Sequence, residues 1–172
     1  FHKKNNLKYD IIIDPKMSFG TGHHETTFLM CQELFKINLK SKNVLDFGCG
    51  TGILSILSSK LGAKWVYAID CSARCIQSCI ENLKVNNIDN VKLIKDHMVP
   101  SNDKFDLVIS NINRNVIVKS FKSFSETNAK EILLSGFLDE DFEILFNLID
   151  KSDFTLKNKK TKNGWLMLRL KK

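Results

Sequence analysis

Residues 44–52 decide the fold of this chain, and they read Val44-Leu45-Asp46-Phe47-Gly48-Cys49-Gly50-Thr51-Gly52. An apolar run leads into an acid, three glycines then alternate with small residues, and a helical pattern begins at Ile53. Glycine permits positive φ angles and leaves room for a ligand to approach the backbone. The stretch therefore predicts a strand, a tight turn and a helix whose first N–H groups face a polar or anionic group.

The spacing of the glycines narrows the choice of ligand. The dinucleotide-binding pattern needs a later third glycine, and that position, counted from Gly48, holds Ile53. A second predicted strand, Trp65–Asp70, ends in an acid that is suited to accept both hydroxyls of a ribose. Asp46, the glycine turn and Asp70 together indicate a cofactor that contains a nucleoside. The alternative is a tight turn in an α/β domain that binds nothing.

Composition sets the broad class of the protein. The chain has 172 residues, with 43% hydrophobic and 26% charged, which is typical of one globular domain with a substantial core. No apolar run has the length of a membrane span, and no signal peptide is visible. The first residue is Phe1 and not Met, from which we expect a longer protein with a further N-terminal domain.

Charge and cysteine content bear on partners and location. The chain carries 26 Lys and Arg against 19 Asp and Glu, a net charge of +7. This excess indicates either a nucleic-acid or ribosomal partner or simply the base composition of the gene. Five cysteines, an odd number without a disulfide pattern, favour the cytoplasm.

Two clusters invite a metal interpretation, but neither supports it. Cys71, Cys75 and Cys79 recur every four residues, a spacing that matches no zinc or iron–sulfur pattern and is better explained by core cysteines. His23 and His24 are adjacent, so their side chains diverge, and no third ligand is near in sequence. No metal is expected.

Other stretches alternate between helical and strand patterns. A short strand is expected at Tyr9–Asp14, and Thr26 or Thr27 is expected to cap the helix that follows. The remaining strands are predicted at Val91–Lys95, Lys104–Asn111, Glu131–Ser135, Phe154–Lys157 and Trp165–Leu170, with a basic loop over 158–164. Asp96 follows the third strand, either near the base of an adenosine or as an ordinary loop acid.

These elements predict an α/β fold with a doubly wound, mostly parallel seven-stranded sheet and an antiparallel last strand. The last two strands are too close in sequence for a helical crossover, so they pair antiparallel. That arrangement distinguishes the S-adenosylmethionine-dependent, class I Rossmann-like layout from the dinucleotide-binding one. Residues 1–172 are expected to form a single domain, without internal repeats.

Three blocks of sequence resemble the catalytic domain of the PrmA-type ribosomal protein methyltransferases, which act on large-subunit ribosomal protein eleven. The blocks are Phe19-Gly20-Thr21-Gly22-His23-His24-Glu25-Thr26-Thr27, Asp46-Phe47-Gly48-Cys49-Gly50-Thr51-Gly52 and Ser110-Asn111-Ile112. The glycine block is shared by many methyltransferases, whereas the first block is more particular. The family usually carries an N-terminal domain that grips the ribosomal protein, and the resemblance implies that this chain is the catalytic module alone.

The resemblance also implies site residues and a cofactor. By that resemblance, Thr27, Gly48, Asp70 and Asn111 fall where the family contacts S-adenosyl-L-methionine. Their places in the predicted elements add Gly50 in the glycine turn, Asp96 after the third strand, and Phe19 and His24 in a loop that would fold over the cofactor. Asn111 is also the predicted catalytic residue, since it ends a strand where open α/β sheets bind ligands.

The implied reaction is methyl transfer to amino groups, on lysine side chains or the N-terminus, of a ribosomal protein. The sequence Asn111-Ile112-Asn113-Arg114 lacks the Asn-Pro-Pro-Tyr motif of glutamine and base methyltransferases, which favours an amine as acceptor. One alternative is an RNA N-methyltransferase, in keeping with the net charge, although the aromatic residue that stacks on a flipped base is missing beside Asn111. Another alternative is a domain that binds the cofactor without activity. RNA contact is possible but not required, and no membrane partner is expected.

Overall fold

The computed structural model describes residues 9–14, 23–100 and 104–172. The helices are α1 (Glu25–Leu34), α2 (Ile53–Lys60), α3 (Ala73–Val85), α4 (Arg114–Glu126), a 3-10 turn (Asp139–Asp141) and α5 (Phe142–Ile149). The strands are β1 (Asn43–Phe47), β2 (Trp65–Asp70), β3 (Val91–Lys95), β4 (Leu107–Asn111), β5 (Glu131–Leu138), β6 (Thr155–Lys162) and β7 (Trp165–Lys171).

All seven strands form one sheet in the order β3-β2-β1-β4-β5-β7-β6. Strands β1 to β5 pair in parallel, whereas β7 lies antiparallel between β5 and β6. The predicted doubly wound, mostly parallel sheet with an antiparallel last strand is therefore confirmed. The strand order reverses at β1, which makes its carboxyl end the place where such sheets bind ligands.

Helices cover both faces of the sheet, and successive side chains of a strand pack against opposite faces. In β1, Val44 packs in a cluster with residues of α1 and α2, while Leu45 and Phe47 pack in the cluster that holds α4 and α5. These β1 side chains are 5% exposed or less, so both faces of the strand are buried. This double burial explains why the central strands appear as continuous apolar runs in the sequence.

Some predicted strand boundaries agree with the structure, and others differ. β2 and β3 have the predicted ends, and the final two strands are antiparallel as expected. β4 begins at Leu107 and not at Lys104, and β5 continues past Ser135 to Leu138 through an irregularity at Gly136, where φ is +98°.

The strand predicted at Tyr9–Asp14 is wrong. Its backbone bonds to side-chain amides of α3 and not to another strand. The N–H of Ile12 donates to Asn86 Oδ1 at 2.9 Å, and that of Asp14 donates to Asn82 Oδ1 at 2.9 Å. Asn86 Nδ2 also donates to the carbonyl of Ile12 at 2.7 Å. The segment is therefore extended but lies outside the sheet.

The basic loop predicted over 158–164 is also wrong, because most of it belongs to β6. The turn itself is Asn163-Gly164, with φ angles of +49° and +79°. Two central residues with positive φ suit the right-handed twist of the flanking strands. β6 is an edge strand whose alternate residues are exposed, and its lysines and asparagine carry no apolar signal.

The buried carboxylate of Glu33 links α1 to strands β6 and β7. Glu33 is 1% exposed and accepts hydrogen bonds from Arg169 Nη1 at 3.1 Å, Asn158 Nδ2 at 3.0 Å and Lys36 Nζ at 3.1 Å. Burial acts to raise the pKa of Glu33, but the hydrogen bonds from Asn158, Lys36 and Arg169 outweigh it, so the pKa lies below its usual value. Helix α1 is thereby joined to both β6 and β7.

The cysteines only partly follow the sequence prediction. Cys79 and Cys49 are buried, at 0% and 6% exposure, and pack in one cluster with Ile56 and Leu83. Cys71 is exposed, so it is not a core residue and that expectation is wrong for it. Among the described residues, no three His, Cys, Asp or Glu side chains are arranged to hold a metal ion. No helix in the described ranges is long and apolar enough to cross a membrane.

Candidate active site

The carboxyl ends of three adjacent strands bring the predicted site residues to one edge of the sheet. β1 pairs with β2 on one side and with β4 on the other, all in parallel. Their last residues are Phe47, Asp70 and Asn111, so the glycine turn lies between the Asp70 carboxylate and the Asn111 amide. Polar groups that converge on such an edge are typical of a ligand site.

Close packing against neighbouring side chains requires glycine in this turn, in addition to the room that glycine leaves for a ligand. Gly48, Gly50 and Gly52 all have positive φ, at +81°, +55° and +83°. A Cβ on Gly48 would lie 2.2 Å from Ile112 Cγ2, and one on Gly52 would lie 2.3 Å from Cys79 Sγ. Gly48 is therefore needed for contact with the segment after β4, and its role as a cofactor contact stays a prediction.

Asp70 ties the end of β2 to the glycine turn. Its Oδ2 accepts the N–H of Gly50 at 3.0 Å, and its Oδ1 accepts the N–H of Ser72, the residue that caps α3, at 2.9 Å. Each carboxylate oxygen has a second lone pair, so Asp70 retains capacity for two hydroxyl donors. Its half-buried side chain is held in place before any ligand arrives.

Asp46 lies behind the turn and is almost completely buried, at 1% exposure. Burial raises the pKa of Asp46 to about 7, against the effect of a hydrogen bond from Ser55 Oγ at 2.5 Å, and the nearby charge of Asp70 raises it further. The sequence identifies Asp46 as part of the motif. Its buried position makes it a support of the turn, one hydrogen bond away from α2.

Asn111 carries a buried side-chain oxygen without a hydrogen-bond partner in the described residues. Within the described ranges, four buried side-chain oxygens lack a hydrogen-bond partner, in Asn43, Ser58, Ser78 and Asn111. Only that of Asn111 lies at the carboxyl edge among these described residues. Its Nδ2 makes a long contact of 3.5 Å with Thr27 Oγ1, which brings two predicted site residues together. A buried acceptor without a partner is costly, so Asn111 Oδ1 fits a donor from a bound molecule.

His24 has a local role that the sequence did not predict. It, and not Thr26 or Thr27, is the N-cap of α1, and its Nδ1 accepts the N–H of Thr26 at 3.3 Å. Nδ1 also lies 2.8 Å from Thr26 Oγ1, so both contacts hold the ring against the first turn of α1. The ring also meets Trp165 edge to face, with centroids 4.5 Å apart. His24 thus fixes the start of the helix that carries Thr27.

Trp165 was missed by the sequence analysis, which treated it only as the start of a strand. It reaches the site because β7 returns beside β5, a pairing between distant parts of the chain. Glu25, in the first turn of α1, strengthens this link through hydrogen bonds from Lys162 and from Asn163 Nδ2, the latter at 2.6 Å. The sequence contains no local pattern that reveals such a contact.

Two predicted site residues are not joined to this group. Asp96 is half-buried, and its Oδ1 accepts the N–H groups of its own turn, those of His97 at 2.6 Å and Met98 at 3.1 Å. It follows β3, whose end lies beside that of β2, so its predicted contact with an adenosine base remains a prediction. Phe19 lies outside the described residues.

The fold is that of class I S-adenosylmethionine-dependent methyltransferases. A solved structure of magnesium protoporphyrin IX methyltransferase from Synechocystis shares it, with a TM-score of 0.73 and 19% identity over 88% of this chain and 80% of that one. The ribosomal protein L11 methylase of Lactobacillus delbrueckii subsp. bulgaricus is more similar, with a TM-score of 0.91 and 26% identity over 100% of this chain and 90% of that chain.

The sequence profile of a family described as "Ribosomal protein L11 methyltransferase (PrmA)" matches residues 2–172. A ribosomal protein L11 methyltransferase of Porphyromonas gingivalis is 41% identical over 98% of this chain and 60% of its own length. One from Bacteroides thetaiotaomicron is 38% identical over 96% of this chain and 61% of its own length. The chain therefore belongs to the PrmA family of ribosomal protein L11 methyltransferases, and it spans about 60% of the length of these curated relatives.

Proposed function

We propose that this chain is the catalytic part of an S-adenosylmethionine-dependent methyltransferase that modifies amino groups of ribosomal protein L11, on lysine side chains or at the N-terminus. Family membership and the names of the relatives support the substrate. The observation that carries the proposal is the unpartnered Asn111 oxygen, which lies beside a glycine turn and a preorganised carboxylate. This combination fits a cofactor on one side of Asn111 and an amine on the other.

The residues present fit S-adenosylmethionine. Asp70 is suited to accept the ribose hydroxyls, and the backbone at Gly50 has no side chain to block approach. Thr27 and Asn111 would hold the methionine portion from the α1 side, with His24 keeping α1 in place. Bound there, the cofactor would supply an electrophilic methyl group. The amine nitrogen would bond to the methyl carbon as the carbon–sulfur bond breaks in line, with S-adenosylhomocysteine as the leaving group and the amine proton released to water.

The chain's own contribution to the reaction is alignment. Asn111 Oδ1 accepts an N–H of the incoming amine and thereby directs the nitrogen lone pair toward the methyl group. The neutral form of the amine is favoured where surrounding side chains exclude water, because desolvation lowers the pKa of an amine. His24 contributes by position, since its Nδ1 contacts the N–H and Oγ1 of Thr26 at the start of α1.

We also propose that the complete enzyme carries a further part that recognises L11 and that it works in the cytoplasm. The proposal rests on the shared length of about 60% with the curated relatives, whose remaining part has no counterpart in these residues. The net charge of +7 is compatible with contact to ribosomal RNA during this modification. RNA as the acceptor itself is an outcome that the experiment below distinguishes.

The test is methyl transfer from labelled S-adenosylmethionine to recombinant L11, with protein-free ribosomal RNA as the second acceptor. We expect label in L11 alone. We also expect Asn111→Ala to lower single-turnover methylation by roughly a hundredfold while cofactor affinity falls by less than tenfold, since alignment matters chiefly in the transition state. Asn147→Ala, an exposed asparagine on α5, is the control and should match the wild type.

Labelling of RNA and not of L11 would replace the protein substrate with an RNA one. Cofactor binding without label in either acceptor would favour a binding domain. Wild-type turnover in Asn111→Ala would remove Asn111 from the reaction.

A further inference from the structure

A cavity of about 370 Å³ opens beside Asn111, at the carboxyl ends of β4 and β5. Its walls include Asn113, Arg114, Gly136, Glu140, Asp141 and Trp165. The first two begin α4, and the next three belong to β5 and the 3-10 turn after it. None of the residues assigned above to the cofactor lines this cavity in the part of the chain that the structure describes.

Its position in the sheet indicates which molecule it serves. β4 lies between β1 and β5, so the glycine turn and Asp70 are on one side of Asn111 and the cavity is on the other. With the cofactor on the β1–β2 side, as proposed above, the β5 side of Asn111 remains for an incoming amine, and the cavity is on that side.

The walls are fixed relative to Asn111. The N–H of Ile112 donates to the carbonyl of Ser135 at 3.1 Å, and a Cβ on Gly136 would lie 2.2 Å from Ile112 O. Arg114 Nη1 and Asp141 Oδ1 form an ion pair at 2.6 Å. These contacts join the segment after β4 to the segment after β5, so a side chain seated in the cavity stands at a defined distance from the amide of Asn111.

The lining has a definite chemical preference. Asp141 neutralises Arg114 in an ion pair, whereas Glu140 is exposed and makes no ion pair within the described ranges. Trp165 is half-buried against the His24 ring and presents an aromatic wall. One unmatched carboxylate together with an aromatic wall suits a side chain with a long aliphatic stem and a positive charge.

We propose that this cavity binds a lysine or arginine side chain of the acceptor polypeptide, close in sequence to the residue that is methylated, with Glu140 as its carboxylate partner. The proposal rests on the proposed function, because it adds a second contact to the same substrate. Such an anchor limits the motion of the neighbouring amine and so assists its alignment at Asn111.

The test measures peptide binding by calorimetry to the protein saturated with S-adenosylhomocysteine. Two synthetic peptides carry one central lysine followed by either arginine or glutamine. We expect the arginine peptide to bind about threefold to fivefold more tightly at low salt, the range of a partly exposed ion pair. This preference should vanish in Glu140→Gln, reverse in favour of the glutamine peptide in Glu140→Lys, and weaken at high salt.

Glu143→Gln is the matched control, because it removes the same charge from an exposed position outside the cavity lining and should keep the preference. Equal affinity of the wild type for both peptides would overturn the proposal, as would an unchanged preference in Glu140→Gln. Because this binding needs no turnover, failure of the proposed function appears separately, as absent methylation of L11 by the wild-type protein.

Discussion

On the β1–β2 side of the carboxyl edge, the Asp70 carboxylate accepts N–H groups of Gly50 and Ser72, whereas on the β4 side Asn111 keeps a buried oxygen without a partner in the described ranges. The first side is held in shape by the protein's own hydrogen bonds. On the second side, the Asn111 oxygen remains available as a hydrogen-bond acceptor, and a cavity lies at the ends of β4 and β5. The difference teaches that a site for two molecules can be preorganised for one of them and completed by the other.

The largest expected effect breaks the preorganised side. Asp70→Ala should lower S-adenosylmethionine affinity by at least about a hundredfold, because each charge-assisted hydrogen bond contributes roughly 1.5–3 kcal/mol. The substitution also leaves the N–H groups of Gly50 and Ser72 without their acceptor. Calorimetric titration measures the affinity, and thermal unfolding verifies the fold. Asp70→Asn keeps one acceptor oxygen and should fall between; a folded Asp70→Ala with wild-type affinity would contradict the assignment.

A second variant tests how the two sides are joined. Gly48→Ala places a Cβ 2.2 Å from Ile112 Cγ2 at a φ of +81°, so it should cost roughly 2–3 kcal/mol of unfolding free energy. Adding Ile112→Ala relieves the clash, and the double variant should be more stable than the sum of the single changes by about 1 kcal/mol. Denaturant unfolding measures all three proteins.

Gly164→Ala is the control for this series, since Gly164 has a φ of +79° but nothing lies within 4 Å of its Cβ position. Its cost should be the backbone term alone, about 1 kcal/mol. Strict additivity between the changes at Gly48 and Ile112 would mean that the turn and the segment after β4 are independent.

A third prediction concerns pH on the preorganised side. The pKa of Asp46 is about 7 in the folded protein and near 3.8 when unperturbed, so the folded state holds a proton that the unfolded chain releases. The unfolding free energy should therefore fall as pH rises between these values. Asp46→Asn should remove roughly 2 kcal/mol of that fall between about pH 5 and about pH 7. Urea unfolding at both pH values measures it, and an unchanged slope would contradict the raised pKa.

Glu33 provides the opposite sign when urea unfolding is extended to pH values below its unperturbed pKa of 4.5. Its pKa is lowered, so its contribution to stability is present above the unfolded pKa and is lost as the pH falls toward the folded one. Glu33→Gln should therefore reduce the loss of stability in acid and leave the change caused by Asp46 intact.

The smallest expected effect concerns the far corner of the site. Asp96 is half-buried, with a side chain that is 42% exposed, and its Oδ1 contacts only its own turn within the described ranges: the N–H groups of His97 and Met98, and His97 Nδ1 at 3.5 Å. Asp96→Ala should change S-adenosylmethionine affinity by no more than about threefold, the effect of one solvent-exposed hydrogen bond. Calorimetry under the conditions used for Asp70→Ala allows direct comparison. A loss comparable to that of Asp70→Ala would extend the preorganised side to β3.

Strands β2 and β3 could be predicted because their signal is local. β2 is an apolar run that ends in Asp70, and β3, an edge strand, combines apolar residues with lysine; both were predicted with their observed ends. The segment Tyr9–Asp14 carries the same kind of signal, yet its partners are the side chains of Asn82 and Asn86. A pattern of apolar residues cannot distinguish a backbone partner from a side-chain amide.

The candidate site could be predicted in part, for the same reason. Asp70 and Asn111 end strands that the sequence predicts, and Gly50 lies in the turn after another, so the sequence places all three at one edge of the sheet. The contact of Trp165 with His24 joins the start of α1 to β7, which lie far apart in the chain. The capping of α1 by His24 is local, but the sequence favoured Thr26 or Thr27 as the cap. β6 was underestimated because an edge strand rich in lysine has no apolar face of its own.

The position of β7 inside the sheet also governs the order in which the protein can be assembled during translation. β5 and β6 emerge from the ribosome first, but they have no contact in the finished sheet until β7 inserts between them. Arg169, which holds Glu33 and so α1, lies on this same strand. A nascent chain that already contains Asp70, Gly50 and Asn111 therefore still lacks the contact from β7 that holds α1, the helix that carries Thr27. A premature stop codon within β7 would abolish the enzyme without removing one residue assigned to the cofactor.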